Sequence, residues 1–214
     1  MRQISEEDLL PADIDAQPPV RAAAALRSVI RGYHDEIERE QRLPKALVEQ
    51  FHAAGFYRLV IPRELGGLQA DPLTYVRVVE LLAEGAGSVG WNVANNSIGQ
   101  LVTLGLPDEG VQEIYSRGDT VIAGTAVMGG GRAVPVDGGY RVTGRWPFGT
   151  GCQESSWMLG SFQIFDGDQP RRSPDGTSVI LVRAFDKDAA GSYSSAQQFR
   201  TIDDPTDIPG RYSR

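Results

Sequence analysis

At 214 residues, 41% hydrophobic and 23% charged, the chain can bury one or two cores and has the make-up of a globular protein. A formal net charge of −7 and a pI near 4.9, with no local cluster of Lys or Arg, argue against nucleic acid or any other polyanion as a partner. The single cysteine, Cys152, excludes an intrachain disulfide, and with only His34 and His52 beside it no zinc ligand set can be assembled.

No apolar run approaches membrane-spanning length, and residues 1–16 are polar and acidic, without the apolar segment of a signal peptide. The expectation is a cytoplasmic protein with no membrane partner and no metal site, whose first 18 residues form a flexible N-terminus.

Residues 19–117 read as an all-helical domain. Pro18-Pro19 precedes a segment in which Leu26, Ile30, Tyr33 and Ile37 recur at helical spacing with charges between them. Pro44 suits a helix's first turn, Leu47, Val48, Phe51 and Ala54 form its apolar stripe, and Gly55 stops it. The apolar stretch 56–61 closes at Pro62, and Gly66-Gly67 forces a turn, with Arg63 and Glu64 beside it as surface charges. Asp71-Pro72 is a cap-plus-proline start for a third helix with Leu73, Val76, Val79 and Leu82 or Ala83 on its apolar face. Ser88 caps a fourth helix bearing Trp91, Ala94, Ile98 and Leu101, and Pro107 opens a fifth through Tyr115.

After Gly118 the period shortens. Residues 120–127, 132–136, 140–146, 156–165 and 178–182 read as strands between glycine- or proline-rich turns, giving a β-domain over 118–184. Helices followed by strands make an α+β chain with an antiparallel β-domain, and residues 185–214 show no sustained period and read as an irregular tail. No internal repeat is visible.

The run D-G-G-Y-R-V-T-G-R-W-P-F-G-T-G-C, residues 137–152, is the most informative stretch. It reads as a tight turn, a strand interrupted at Gly144, and a corner presenting Trp146 and Phe148 two residues apart on one side. Thr150 follows, with bare backbone on either side at Gly149 and Gly151. Two aromatic faces beside a hydroxyl and open amides suit a planar, heteroatom-rich ligand such as a flavin. The same stretch also fits a hairpin of an ordinary β-domain, with Trp146 packed in a core and the Thr150 hydroxyl bonding its own turn. Asn95 lies four residues after Trp91, on one helix face, where the pair could meet a substrate; a Trp at helical spacing equally reads as core.

Three stretches taken together resemble the acyl-CoA dehydrogenase superfamily. They are R-L-P-K-A-L-V-E-Q-F-H-A-A-G-F-Y-R-L-V-I-P-R-E-L-G-G (42–67), with its P-x-x-x-G-G turn, A-E-G-A-G-S-V-G-W-N (83–92), and residues 123–152. Their order and spacing carry the resemblance, which covers residues from about 20 to about 184. Acyl-CoA dehydrogenases carry a T-E-x-x-x-G-S-D-like segment at the first strand, where this chain reads G-T-A-V-M-G-G-G-R-A. By contrast, G-R-W-P-F-G-T-G-C is similar to the G-x-W-x-F-x-S-G-C segment of the reduced-flavin-dependent, two-component monooxygenases, with Thr150 in the place of their Ser.

That resemblance implies an N-terminal helical domain, a flavin-contacting β-domain, and reduced FMN or FAD supplied by a flavin reductase. It implies flavin contacts at Trp146, Phe148, Thr150, Gly151 and Cys152, and a small-molecule substrate near Trp91 and Asn95. The full-length family is homo-oligomeric, dimer or tetramer, and its catalytic base lies in a C-terminal helical bundle. The expectation is therefore a chain truncated before that bundle, with no catalytic residue of its own, weak flavin binding and poor turnover. An FAD-dependent acyl-CoA dehydrogenase and a non-catalytic assembly module are the alternatives.

Overall fold

The structure is a computed structural model that describes residues 13–106, 108–118, 120–124, 131–137, 139–145, 149–178, 180–186 and 198–202. The chain divides into two compact units, Met1–Leu101 and Val102–Arg214.

The first unit holds five α-helices: α1 (Pro18–Gly32), α2 (His34–Glu40), α3 (Lys45–Ala53), α4 (Pro72–Gly85) and α5 (Gly87–Gly99). Pro18 and Pro19 stand inside the first turn of α1 rather than before it, where a missing N–H costs nothing. The single long helix expected through Ile37 is broken at Tyr33, the C-cap of α1, whose φ of −92° and ψ of 1° leave the helical region. Ile30 and Ile37 are buried on either side of the break, and Leu26 is half-buried. Pro44 is the N-cap of α3, one position earlier than a first-turn proline, and Gly55 (φ 72°) follows its C-cap Ala54 as the expected stop.

The core of this unit gathers Phe51, Phe56 and Tyr57, all essentially inaccessible, with Phe51 ring centroids 5.8 Å from Phe56 and 6.2 Å from Tyr57. Helices α1 and α4 pack so closely that a Cβ on Gly85 would stand 2.7 Å from Ile30 Cγ2. Asp71 caps α4 as expected: its carboxylate accepts from Leu73 N at 2.9 Å, Thr74 N at 3.0 Å and the Thr74 hydroxyl at 2.6 Å.

Two helix faces differ from the sequence expectation. On α4 the buried residues are Thr74, Val78, Leu81 and Leu82, while Leu73 and Val76 are exposed. Thr74 can be buried because its hydroxyl is spent on Asp71, which turns the face by one residue. On α5 the N-cap is Ala86 and makes no side-chain cap bond, and Ser88 is exposed. The buried face carries Val89, Gly90, Asn92, Val93, Asn96 and Ser97, and the expected apolar stripe of Trp91, Ile98 and Leu101 is the exposed one.

The second unit contains α6 (Asp108–Tyr115) and a sheet of β1 (Ile122–Gly124), β2 (Gly131–Val136), β3 (Gly139–Arg145), β4 (Trp157–Asp166), β5 (Gln169–Pro170), β6 (Ile180–Asp186) and β7 (Gln198–Ile202). The α+β class is as expected from the order of elements. The sheet itself is mixed rather than wholly antiparallel. β1 and β2 both run parallel to β4, pairing Ile122 with Trp157 and Gly131 with Phe162. The intervening β2–β3 hairpin returns the chain in the direction it left, so β4 re-enters alongside β1. β4 is also antiparallel to β6, from Trp157↔Asp186 to Gln163↔Ile180.

β7 lies within the stretch expected to be irregular. It pairs antiparallel with β3 (Gly144↔Phe199, Arg145↔Gln198), with a register shift between Val142 and Gly144. That shift falls at the glycine where the sequence suggested a bulge. The strand's own sequence gives no period; the partner's open edge makes it a strand.

Candidate functional site

Of the expected flavin-contacting residues, Thr150, Gly151 and Cys152 stand just before β4. Trp146 and Phe148 lie outside the described residues, as does Met128 in the glycine loop before β2. Gly149, Thr150, Gly151 and Cys152 form a tight turn that runs directly into Ser155, Ser156 and Trp157.

Three backbone bonds define that turn. Cys152 N donates to Gly149 O at 3.0 Å, and Glu154 N and Ser155 N donate to Gly151 O at 3.1 and 3.0 Å. Gly151 sits at φ 77°, a conformation that suits glycine and explains why this position is bare. The buried Ser155 locks the turn from beneath, its hydroxyl donating to Cys152 O at 3.1 Å and standing 3.3 Å from Met158 Sδ. Ser156 then fastens the turn to the strand-side residue before β1: Ser156 N and Trp157 N donate to Val121 O at 2.9 and 3.1 Å, and Val121 N donates to Ser156 Oγ at 3.1 Å.

The donors of this turn are therefore not equivalent. The Cys152 amide is turned onto Gly149 O, whereas the Gly151 amide has no protein acceptor among the described residues. Thr150 and Gly151 are half-buried, and the Cys152 thiol is buried at 6% exposure. The Thr150 hydroxyl and the Gly151 amide stand on adjacent residues of this braced turn, and both are groups of the kind that can donate to a planar acceptor. Sequence reading passed over Trp157, which is 7% exposed with an indole N–H that finds no acceptor among the described residues. Its position directly after the serine pair was the available signal.

Trp91 and Asn95 belong to the first unit, on the exposed face of α5. Trp91 is 64% exposed, which sets aside the core reading for it. Asn95 is half-buried and its Nδ2 donates to the main-chain carbonyl of Trp91 at 2.8 Å. The His52 ring stands 5.0 Å from the Tyr57 ring at an interplanar angle of 56°, a packing contact, and Arg63 and Glu64 are exposed. A cleft of about 400 Å³ in the same unit is lined by Pro18, Pro19, Arg63, Leu68 and Gln69 among others, and by none of the residues expected to bind flavin or substrate. Among the described residues no group of three or more His, Cys, Asp or Glu could hold a metal ion, and no helix is long and apolar enough to cross a membrane.

Comparison with known proteins gives a consistent likeness. Residues 20–109 match the family described as the acyl-CoA dehydrogenase N-terminal domain. The oxygenase subunit HsaA of a flavin-dependent monooxygenase from Rhodococcus jostii is 36% identical over 164 residues, which are 74% of this chain and 41% of HsaA. Indole-3-acetate monooxygenase from Pseudomonas putida is 31% identical over 133 residues, 59% of this chain and 34% of that protein. Among solved structures, XiaF from Streptomyces in complex with FADH2 and glycerol superposes with a TM-score of 0.71 at 25% identity, over 86% of this chain and 46% of XiaF. The chain thus spans about two fifths of the length of the curated relatives it matches.

Proposed function

We propose that this chain, which belongs to the acyl-CoA dehydrogenase superfamily, is the flavin-facing part of an oxygenase that uses reduced flavin and O2 to hydroxylate a small organic substrate. The observation that carries this reading is the turn at 149–152, where a hydroxyl and an uncommitted amide stand side by side in the segment most similar to the two-component monooxygenases. Reduced flavin, FMN or FAD, would supply the activation of O2.

The residues present fit such a group. The Gly151 N–H would donate to a ring oxygen, and the Thr150 hydroxyl to a neighbouring ring heteroatom. Trp146 and Phe148 would wall the ring and keep water from it, a role that rests on the sequence resemblance. The Ser155 and Ser156 bonds hold the donors in place before any ligand arrives, so little ordering cost is left to binding. Trp91 would offer a flat apolar surface to the substrate and Asn95 an amide to fix its orientation. No residue of this chain is assigned as the catalytic base. A flavin reductase as partner and a homo-oligomeric assembly belong to the same proposal.

Anaerobic fluorescence titration with reduced FMN and FAD tests it. Binding by the chain is expected to be weak, and Thr150→Ala to weaken it a further fivefold to tenfold, about 1–1.5 kcal/mol for one hydrogen bond. Thr150→Ser should restore the loss. Equal affinity in all three proteins, or bleaching of bound FAD by an acyl-CoA thioester, would overturn the reading.

A further inference from the structure

Helix α5 is inverted relative to an ordinary surface helix. Its buried side carries Asn92, Asn96, Ser97 and, directly after its last turn, Gln100, at 7%, 1%, 0% and 0% exposure. Its exposed side carries Trp91 and Ile98 at 64% and 43%, followed after its end by Leu101 at 41%. No charged residue stands between Glu84 and Asp108. Area burial alone would rotate the helix to cover Trp91 and Ile98 and return the amides to water.

Within the helix, Asn96 Nδ2 donates to Asn92 O at 2.8 Å and reaches Asn92 Oδ1 at 3.4 Å, which satisfies the buried amide but turns with the helix. Two directional bonds to other elements hold the observed setting. Gln100 Nε2 donates to the main-chain carbonyl of Tyr57 at 2.6 Å, across 43 residues of sequence. Tyr57 is itself 1% exposed and its ring is packed on Phe51, so the acceptor is fixed. Tyr75 OH donates to Ala94 O at 3.1 Å from the α4 side. Apolar contacts tolerate a change of rotation, whereas a bond to a fixed carbonyl is made at one rotation only.

We infer that Gln100, the end of the buried amide ladder Asn92–Asn96–Gln100 and the member bonded to the Tyr57 carbonyl, is the positioning residue that sets the rotation of α5 and keeps the Trp91–Asn95 face outward. Gln100 touches no ligand; it acts through the helix. That the outward face receives substrate rests on the proposed function, while the positioning itself does not.

The test uses the full chain labelled with 5-fluorotryptophan, the Trp91 fluorine resonance being assigned with Trp91→Phe. Gln100→Met removes the donor at similar length, and Leu82→Ala opens a core position of α4 outside the ladder. Gln100→Met is expected to shift or split the Trp91 resonance and to cut its solvent isotope shift by half or more. Leu82→Ala is expected to lower Tm further yet leave that resonance in place. A Gln100→Met protein with altered Tm and an unmoved Trp91 signal, or a Leu82→Ala protein that moves it equally, would overturn the inference. Tyr75→Phe, which removes the bond to Ala94 O, is read the same way and replaces Gln100→Met if the latter does not fold. Failure of both to fold beside a folded Leu82→Ala counts against a positioning role. Phenol added to the wild-type chain separates the two claims: a Trp91 resonance that ignores phenol contradicts the substrate reading and leaves the ladder standing.

Discussion

Gly66 and Gly67 are adjacent, yet the structure predicts very different costs for replacing them with alanine, and not in the order their backbone angles suggest. Gly66 is in the left-handed region at φ 76°, but a Cβ there would meet Arg58 Nη1 at 2.9 Å, the far end of a long side chain that reaches Gly66 O at 3.4 Å and can give by a few tenths of an ångström. Left-handed strain of about 1–2 kcal/mol, partly offset by the stiffer unfolded chain, gives a net cost of about 1 kcal/mol. Gly67 is not left-handed, but a Cβ on it would stand 2.0 Å from Ile61 O and 2.4 Å from Ile61 C. That carbonyl cannot yield freely, because it accepts Gln69 N at 2.9 Å while Gly67 N is held by Pro62 O at 3.0 Å. Overpacking of about 2–3 kcal/mol together with a lost backbone bond of about 1 kcal/mol gives a cost of about 3–4 kcal/mol. In a unit of this size the two variants should melt about 5 °C and about 15 °C below wild type. Urea and thermal unfolding followed by circular dichroism read both. A Gly66→Ala variant as damaging as Gly67→Ala would refute the reasoning.

Other expectations follow from single groups. Ser97 is wholly buried, and its hydroxyl has no hydrogen-bond partner among the described residues, so Ser97→Ala should stabilise the chain by about 1–2 kcal/mol through relieved desolvation and better helix propensity; a loss of stability in the melt would contradict this. Ser155→Ala removes the bond to Cys152 O and should cost about 1–2 kcal/mol, with weaker flavin binding that Ser155→Thr partly restores. The Asp71 carboxyl is held below the ordinary carboxylate value, first by the Thr74 hydroxyl and then by the Thr74 amide. A depressed carboxyl contributes stability above the ordinary value of about 4 and loses it as pH falls through the folded-state value. Thr74→Val should therefore cost stability chiefly at neutral pH and little once the pH has fallen below the folded-state value, flattening the acid limb, as urea melts at pH 7 and at about pH 2 would show.

Features encoded within a few residues were legible in the sequence. Asp71-Pro72 predicted the start of α4 because cap and acceptors lie within one turn, and Gly55 predicted the end of α3 for the same reason. Gly144 marked the register shift between β3 and β7, although β7 itself was invisible, since its pairing is set by a partner more than fifty residues earlier. The buried face of α5 was misread because its polarity is compensated by a distant acceptor, the Tyr57 carbonyl, that periodicity cannot supply. At the candidate site, residues 149–152 were legible as a donor turn. Which amide remains available was not, because the Cys152–Gly149 bond depends on the turn's closure and on Ser155 beneath it.

That distinction gives the most direct measurement of the central claim. In a 15N-labelled chain titrated anaerobically with reduced flavin, the Gly151 amide proton should move downfield as it takes up a ring acceptor. The Cys152 amide, already bonded to Gly149 O, should move little. A Cys152 resonance that shifts while Gly151 stays in place, or a titration that moves neither, would contradict the assignment of this turn as the flavin-holding element.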